Sequence, residues 1–283
     1  MRMTGTTARH AAATWRQLRD ILLPRGCAGC GRPDAILCDQ CARALHDPTA
    51  FTLPQAAAGH GVACGTYHGA IRHAILSWKD HGDAEADQPL ADALTDLFDT
   101  VAAPLLATLN PAPTGVGIIP APSSPRSIRR RGRRHLDPLA DMLAAHCRSH
   151  GLPDTCTLPM LQVRAVHGKS VQTYGARDRM RRIHGHIAVD DAIRPPAPGT
   201  PLILLDDIVT TGATIGACAD ALADAGHDVL TALALAYTPP KAIDEDDGTA
   251  VEDARGIPGS GGGDDVRICG AGRRPDVRAP LRI

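Results

Sequence analysis

Aromatic residues are scarce in this chain: two Phe, three Tyr and two Trp, 2% of 283 positions. A core of ordinary size must therefore be built from Ala, Leu, Val and Ile, and an apolar content of 43% supplies them. Few aromatics also means few platforms on which the bases of a single strand can stack. No apolar run approaches the roughly 20 residues that a membrane-spanning helix needs. The segment 8–23 is broken by Trp15-Arg16-Gln17 and Arg19-Asp20, so it lacks the apolar stretch of a secretory leader. An excess of charge of one sign is missing too. Thirty Lys and Arg against 31 Asp and Glu leave a net charge of -1, so any attraction to a polyanion has to come from local clusters. Together these absences predict a soluble, cytoplasmic protein.

What the chain does contain is nine cysteines, four of them within fifteen residues: Cys27, Cys30, Cys38 and Cys41. In a reducing compartment, clustered thiols bind metal more often than they form disulfides. The pairs Cys27-x2-Cys30 and Cys38-x2-Cys41 are separated by seven residues, which lets four thiolates converge on one tetrahedral Zn2+. Four protein ligands leave no open position for a substrate, so the expected site is a structural zinc knuckle. Gly29 and Gly31 flank Cys30 and permit the tight turns it needs. Cys147, Cys156 and Cys218 read as small core residues, and His167, His184 and His186 as surface histidines.

Hydrophobic periodicity predicts helices over 8–23, 67–78, 89–109, 136–147 and 213–225, and buried strands over 116–119, 202–205 and 229–236. Strands alternating with helices of this length give an α/β fold, a parallel sheet flanked by helices. The composition divides the chain into an N-terminal helix (1–23), a zinc-knuckle module (24–65), the α/β domain (66–240) and a tail (241–283). The tail is rich in Gly, Asp, Pro and Arg without periodicity, and such a composition predicts disorder.

The run Leu204-Leu205-Asp206-Asp207-Ile208-Val209-Thr210-Thr211-Gly212-Ala213-Thr214 places two carboxylates after a buried strand and a hydroxyl-rich turn before a helix. Ligands of open α/β sheets bind beyond the carboxyl ends of the strands. A helix N-terminus with free N–H groups suits a phosphate. Carboxylates accept hydrogen bonds from sugar hydroxyls or hold a metal through water. The combination predicts a sugar-phosphate site, with the sugar over Asp206 and Asp207 and the phosphate on Thr210, Thr211, Gly212, Ala213 and Thr214.

At these residues the chain resembles the type I phosphoribosyltransferases, whose signature for 5-phosphoribosyl 1-pyrophosphate (PRPP) has this form. With a four-cysteine knuckle ahead of it, it resembles more narrowly the ComF family of competence-associated proteins. Further segments carry the resemblance: Trp78-Lys79-Asp80-His81-Gly82-Asp83, the loop Pro120-Ala121-Pro122-Ser123, Arg131-Gly132, and Gln172 to Arg179. It spans about residues 18 to 238. It implies a type I phosphoribosyltransferase-like fold that takes PRPP with Mg2+, with Pro120, Ala121, Pro122 and Ser123 against the pyrophosphate. The chain departs from the family at Arg134-His135, where relatives commonly carry Asn-Gln, and at Thr210, where purine-salvage relatives carry a carboxylate. No general acid or base is evident from the motifs.

Charge clusters twice. Six arginines fall in nine residues at Arg126, Arg129, Arg130, Arg131, Arg133 and Arg134, and a looser group holds Arg164, Lys169, Arg177, Arg179, Arg181 and Arg182. Arg129, Arg130, Arg131, Lys169, Arg177 and Arg179 are the candidates for clamping pyrophosphate, for tracking a nucleic-acid backbone, or for a solvated surface run. Two functions stay open: transfer of a phosphoribosyl group to an acceptor with release of pyrophosphate, or a non-catalytic role in DNA uptake, binding PRPP and single-stranded DNA. Fold alone does not decide between them. Because residues 241–283 hold no periodic apolar segment, truncation after Pro240 should leave the thermal midpoint nearly unchanged. A fall of more than a few degrees on thermal unfolding would mean that the tail docks.

Overall fold

The computed structural model describes residues 26–80, 82–164 and 187–240. The expected N-terminal helix, the tail, His81, and the segment 165–186 with His167, Lys169, Arg177, Arg179, His184 and His186 lie outside the described residues. A short helix α1 (Asp39–Arg43) leads through a 3-10 turn to an antiparallel hairpin, β1 (Thr49–Thr52) and β2 (His60–Ala63). Helix α2 (Gly69–Asp80) follows, then α3 (Asp87–Leu97), which passes through a π turn at Phe98–Ala102 into α4 (Ala103–Ala107). Strand β3 (Gly117–Pro120) leads to α5 (Pro125–Arg131), α6 (Leu136–Ser149) and the two-residue strand β4 (Cys156–Thr157). A small antiparallel pair, β5 (Leu161–Val163) and β6 (Ile187–Val189), precedes β7 (Leu202–Val209), α7 (Ala213–Asp224) and β8 (Val229–Tyr237).

The main sheet has six strands in the order β1-β2-β8-β7-β3-β4, parallel except for the β1–β2 hairpin. The expected fold class, a parallel sheet flanked by helices, is the one observed. Strands β7 and β8 lie at its centre, and nearly every residue of both is buried. Cover on both faces explains why these strands read as continuous apolar runs rather than as alternating ones. Thr231 is the polar residue inside β8, and its hydroxyl donates to the His60 carbonyl at 2.9 Å. The helices bury the faces their spacing predicts: Ile71, Ala74, Ile75 and Trp78 on α2, and Leu136, Leu139, Ala140, Leu143, Ala144 and Cys147 on α6.

Three differences from the sequence reading have physical causes. The helix expected over 89–109 is not a uniform α-helix. Pro104 has no N–H to return to the carbonyl one turn earlier, and the π turn at Phe98–Ala102 takes up the misfit. Residues 49–63, grouped by composition with the knuckle, form the hairpin at the sheet edge. Two strands of four residues around a Pro-containing turn are too short to show a period. Cys156 is exposed, whereas Cys147 and Cys218 are core residues as expected. It sits on the edge strand β4, between buried Thr155 and half-buried Thr157.

The hairpin is seated through Gly61. A Cβ built there would lie 2.4 Å from the Phe51 ring and 2.8 Å from the Ala232 carbonyl oxygen of β8. Gly61→Ala should therefore destabilise the fold by about 1–3 kcal/mol through overpacking. Thermal unfolding would show this as a lower midpoint, and an unchanged midpoint would mean that the hairpin is not packed on β8.

Candidate functional site

The chain leaves β3 toward β4 on one side and leaves β7 toward β8 on the other, so the sheet has its switch point between β3 and β7. Ligands of open α/β folds bind in the crevice that such a divergence opens at the strands' carboxyl ends. The register deepens the crevice here. Pairing of β7 with β3 stops at Pro120 and Leu205, while β7 continues beside β8 to Val209. Asp206 and Asp207 thus lie inside β7 but beyond the end of β3. The sequence reading ended this strand at Leu205, since carboxylates rarely continue a buried run. A cleft of about 480 Å3 opens at this place. Its lining includes Lys79, Ser123, Arg131, His135, Asp206 and Asp207.

Neighbouring positions on a strand point to opposite faces of the sheet, so the two carboxylates have different surroundings. Asp207 meets the Lys79 ammonium from α2 and His135 Nε2 from the start of α6. Burial alone pushes its carboxyl up, but the His135 hydrogen bond and the Lys79 charge outweigh that and hold it below the usual carboxylate range. The stability this group contributes is present above the usual carboxylate pKa and is lost as pH falls through its depressed value. Asp206 accepts a hydrogen bond from the backbone N–H of Asp207 at 2.8 Å. Burial, and then the neighbouring Asp207 charge, raise the Asp206 carboxyl above its ordinary range.

Beyond Asp206 the chain forms a small polar hollow of about 30 Å3 lined by Thr210, Thr211, Gly212, Ala213 and Thr214. Gly212 is the N-cap of α7 at φ 74, a left-handed conformation that other residues adopt at a cost. It provides no side-chain cap, and the first N–H of α7, that of Ala213, donates to Thr211 Oγ1 at 3.4 Å. All five residues expected around a phosphate come together here. On the other side of the cleft, Ala121, Pro122 and Ser123 line the wall, and Pro120 closes β3 just behind them.

The arginine run is divided by the helical turn of α5. Arg131 lines the cleft, and its Nε–H is buried with no hydrogen-bond partner among the described residues. Arg130 is turned toward Asp80, 2.7 Å away, and Arg129 is exposed outside the cleft. Arg133 makes a two-pronged contact with Asp87, which also accepts from the Trp78 indole N–H. Arg134 pairs with Asp137. Sequence reasoning gave His135 no role in the site. Its one local signal is its position between an arginine run and the first apolar residue of a helix, and that pattern marks a helix start more often than a site.

The four cysteines form the second site. Their sulfurs lie within 4.8 Å of one another, and those of Cys30 and Cys38 are 3.7 Å apart. Zn–S bonds of 2.3 Å in a tetrahedron require sulfurs about 3.8 Å apart. This group could hold a metal such as zinc. Cys27 Sγ accepts backbone N–H bonds from Gly29 and Cys38, and Cys38 is the N-cap of α1. Gly29 has no room for a side chain: a Cβ would lie 2.8 Å from Cys41 Sγ and 3.2 Å from the Ala70 carbonyl oxygen. The knuckle therefore rests on the start of α2, where Ala70 and His73 meet it.

No family model and no curated protein matches the chain. The knuckle leads to a direct test. Protein purified without chelator should contain one zinc per chain, and Cys38→Ser should lose it and expose the segment 26–46 to protease. Elemental analysis finding no zinc in the wild type would contradict the assignment.

Proposed function

We propose that the protein binds PRPP with Mg2+ in the β3–β7 cleft and transfers the phosphoribosyl group to an acceptor with release of pyrophosphate. The observation that carries this reading is the meeting of three chemistries: a polar hollow at 210–214 with Asp206 at its rim, and a cleft that shares Asp206 and is also lined by Asp207, Lys79, Arg131 and Ser123. These fit in turn the 5-phosphate, the ribose hydroxyls and the pyrophosphate. The four-cysteine group ahead of such a domain supports placing the chain with the ComF family. Pyrophosphate departs from C1′ with its bonding pair, leaving an oxocarbenium-like centre that the acceptor's lone pair attacks. The carboxylates at the rim stabilise the positive charge that develops on the ring. The accompanying Mg2+ supplies charge neutralisation on the leaving group.

The alternative role in binding single-stranded DNA draws no specific support from the described residues. Arg130, Arg133 and Arg134 are engaged with Asp80, Asp87 and Asp137. Calorimetry with PRPP and Mg2+ tests the proposal. Asp207→Asn removes a charge from the rim and should weaken binding about 10- to 150-fold, the equivalent of roughly 1.5–3 kcal/mol for a charged hydrogen bond. Thr211→Val should lose less, because backbone N–H groups supply most of the phosphate's bonds. Equal affinity in wild type and Asp207→Asn, or binding by neither, would overturn the reading. Pyrophosphate release with a panel of bases then separates transfer from binding alone.

A further inference from the structure

His135 is a buried residue that the proposed chemistry does not use. It is 4% exposed, with its ring edge-on to Trp78 at a centroid distance of 4.9 Å. Among the described residues its hydrogen-bond partners are these, with the Asp137 carboxyl within electrostatic reach. Nε2 lies 2.5 Å from Asp207 Oδ2, and Asp207 in turn carries the Lys79 ammonium. Nδ1 lies 3.3 Å from Arg131 Nη1 and 3.4 Å from Ser123 Oγ. The hydrogen-bond partners come from β7, α5 and the loop after β3, and the ring contact from α2, so one imidazole joins four elements at the cleft.

The partners fix where its proton sits. A guanidinium only donates and does not lose its charge, so the nitrogen beside Arg131 must accept. The single proton of a neutral ring is then on Nε2, where it is donated to the Asp207 carboxylate. A doubly protonated ring would aim a second N–H at a cation. Arg131 Nη1 and Nη2 face His135 and Asp80, while its buried Nε–H has no partner among the described residues.

We infer that His135 is a positioning residue: as the neutral Nε2–H tautomer it ties the carboxylate that serves the ribose to the arginine and serine that serve the pyrophosphate. The role rests on the PRPP reading for the identity of the ligand, but the tautomer and the link do not. The link makes the two halves of the cleft one unit. Losing its acceptor side leaves Arg131 with only its longer contact to Asp80 among the described residues, and losing its donor side leaves Asp207 with Lys79.

A side-chain amide offers one donor and one acceptor, the same pattern as this tautomer, whereas Leu fills the volume and offers neither. Calorimetry with PRPP and Mg2+ on His135→Leu should show affinity about tenfold or more below wild type, consistent with loss of a hydrogen bond to a charged group. His135→Gln should restore most of that loss. Equal binding by all three proteins would overturn the role, and so would a Gln variant as weak as the Leu variant. The tautomer is read separately from the ring 15N shifts of the wild-type protein, with the His135 signal assigned by its absence in His135→Gln. An Nε2–H pattern is expected, and an Nδ1–H pattern would overturn the inference even if PRPP binds. Should wild type fail to bind PRPP, the ligand assignment falls and the 15N pattern alone decides the link.

Discussion

A carboxylate inside a protein needs partners, and the site is organised around that need at Asp207. The residue lies in the central strand at a point where β3 has already ended, so one flank of β7 is open while the other is still paired to β8. Lys79 and His135 reach it from two different helices. Removing one member of a buried ion pair costs about 3–5 kcal/mol, because the other charge is left uncompensated. The three groups therefore hold α2, β7 and the start of α6 together as well as shaping the cleft. A second cluster stands beside the first: Asp87 accepts from Arg133 and from the Trp78 indole, fixing the residue next to Lys79. The orientation of Lys79 is thus set from its backbone neighbour and from its own partner.

The same helix connects the two sites. The knuckle packs on the start of α2 through Ala70 and His73, and the last turn of α2 carries Lys79 into the cleft, with Trp78 buried beside it. Between them Ile71, Ala74 and Ile75 bury one continuous face against the core. A metal held by Cys27, Cys30, Cys38 and Cys41 would brace the end of α2 far from the ligand. The cysteine cluster and the cleft thus lie against opposite ends of one helix.

Much of this was legible in the sequence, and the reasons differ by element. Strands β3, β7 and β8 are buried on both faces, so their apolar runs stand out, and α2 and α6 show helical spacing because each buries one stripe. The polar turn at 210–214 was legible because its residues are consecutive. The paired CxxC knuckles were legible for the same reason. What escaped was assembled across distance. His135 and Asp207 are 72 positions apart, and Arg133 and Asp87 are 46 apart. The count of arginines between 126 and 134 left a pyrophosphate clamp, a nucleic-acid track and a solvated run open, and the short helix α5 and its exit turn direct them separately into the cleft, toward carboxylates and into solvent. Spacing along the chain does not disclose such partners.

The central claim is that the crevice between β3 and β7 receives a phosphorylated sugar in one orientation. A crystal structure of the protein with PRPP and Mg2+ tests this most directly. The account predicts the 5-phosphate against residues 210–214, the ribose hydroxyls at the Asp206–Asp207 rim, and the pyrophosphate toward Ser123 and Arg131. Density for the ligand elsewhere on the sheet, or in the reverse orientation with pyrophosphate on the 210–214 turn, would contradict it.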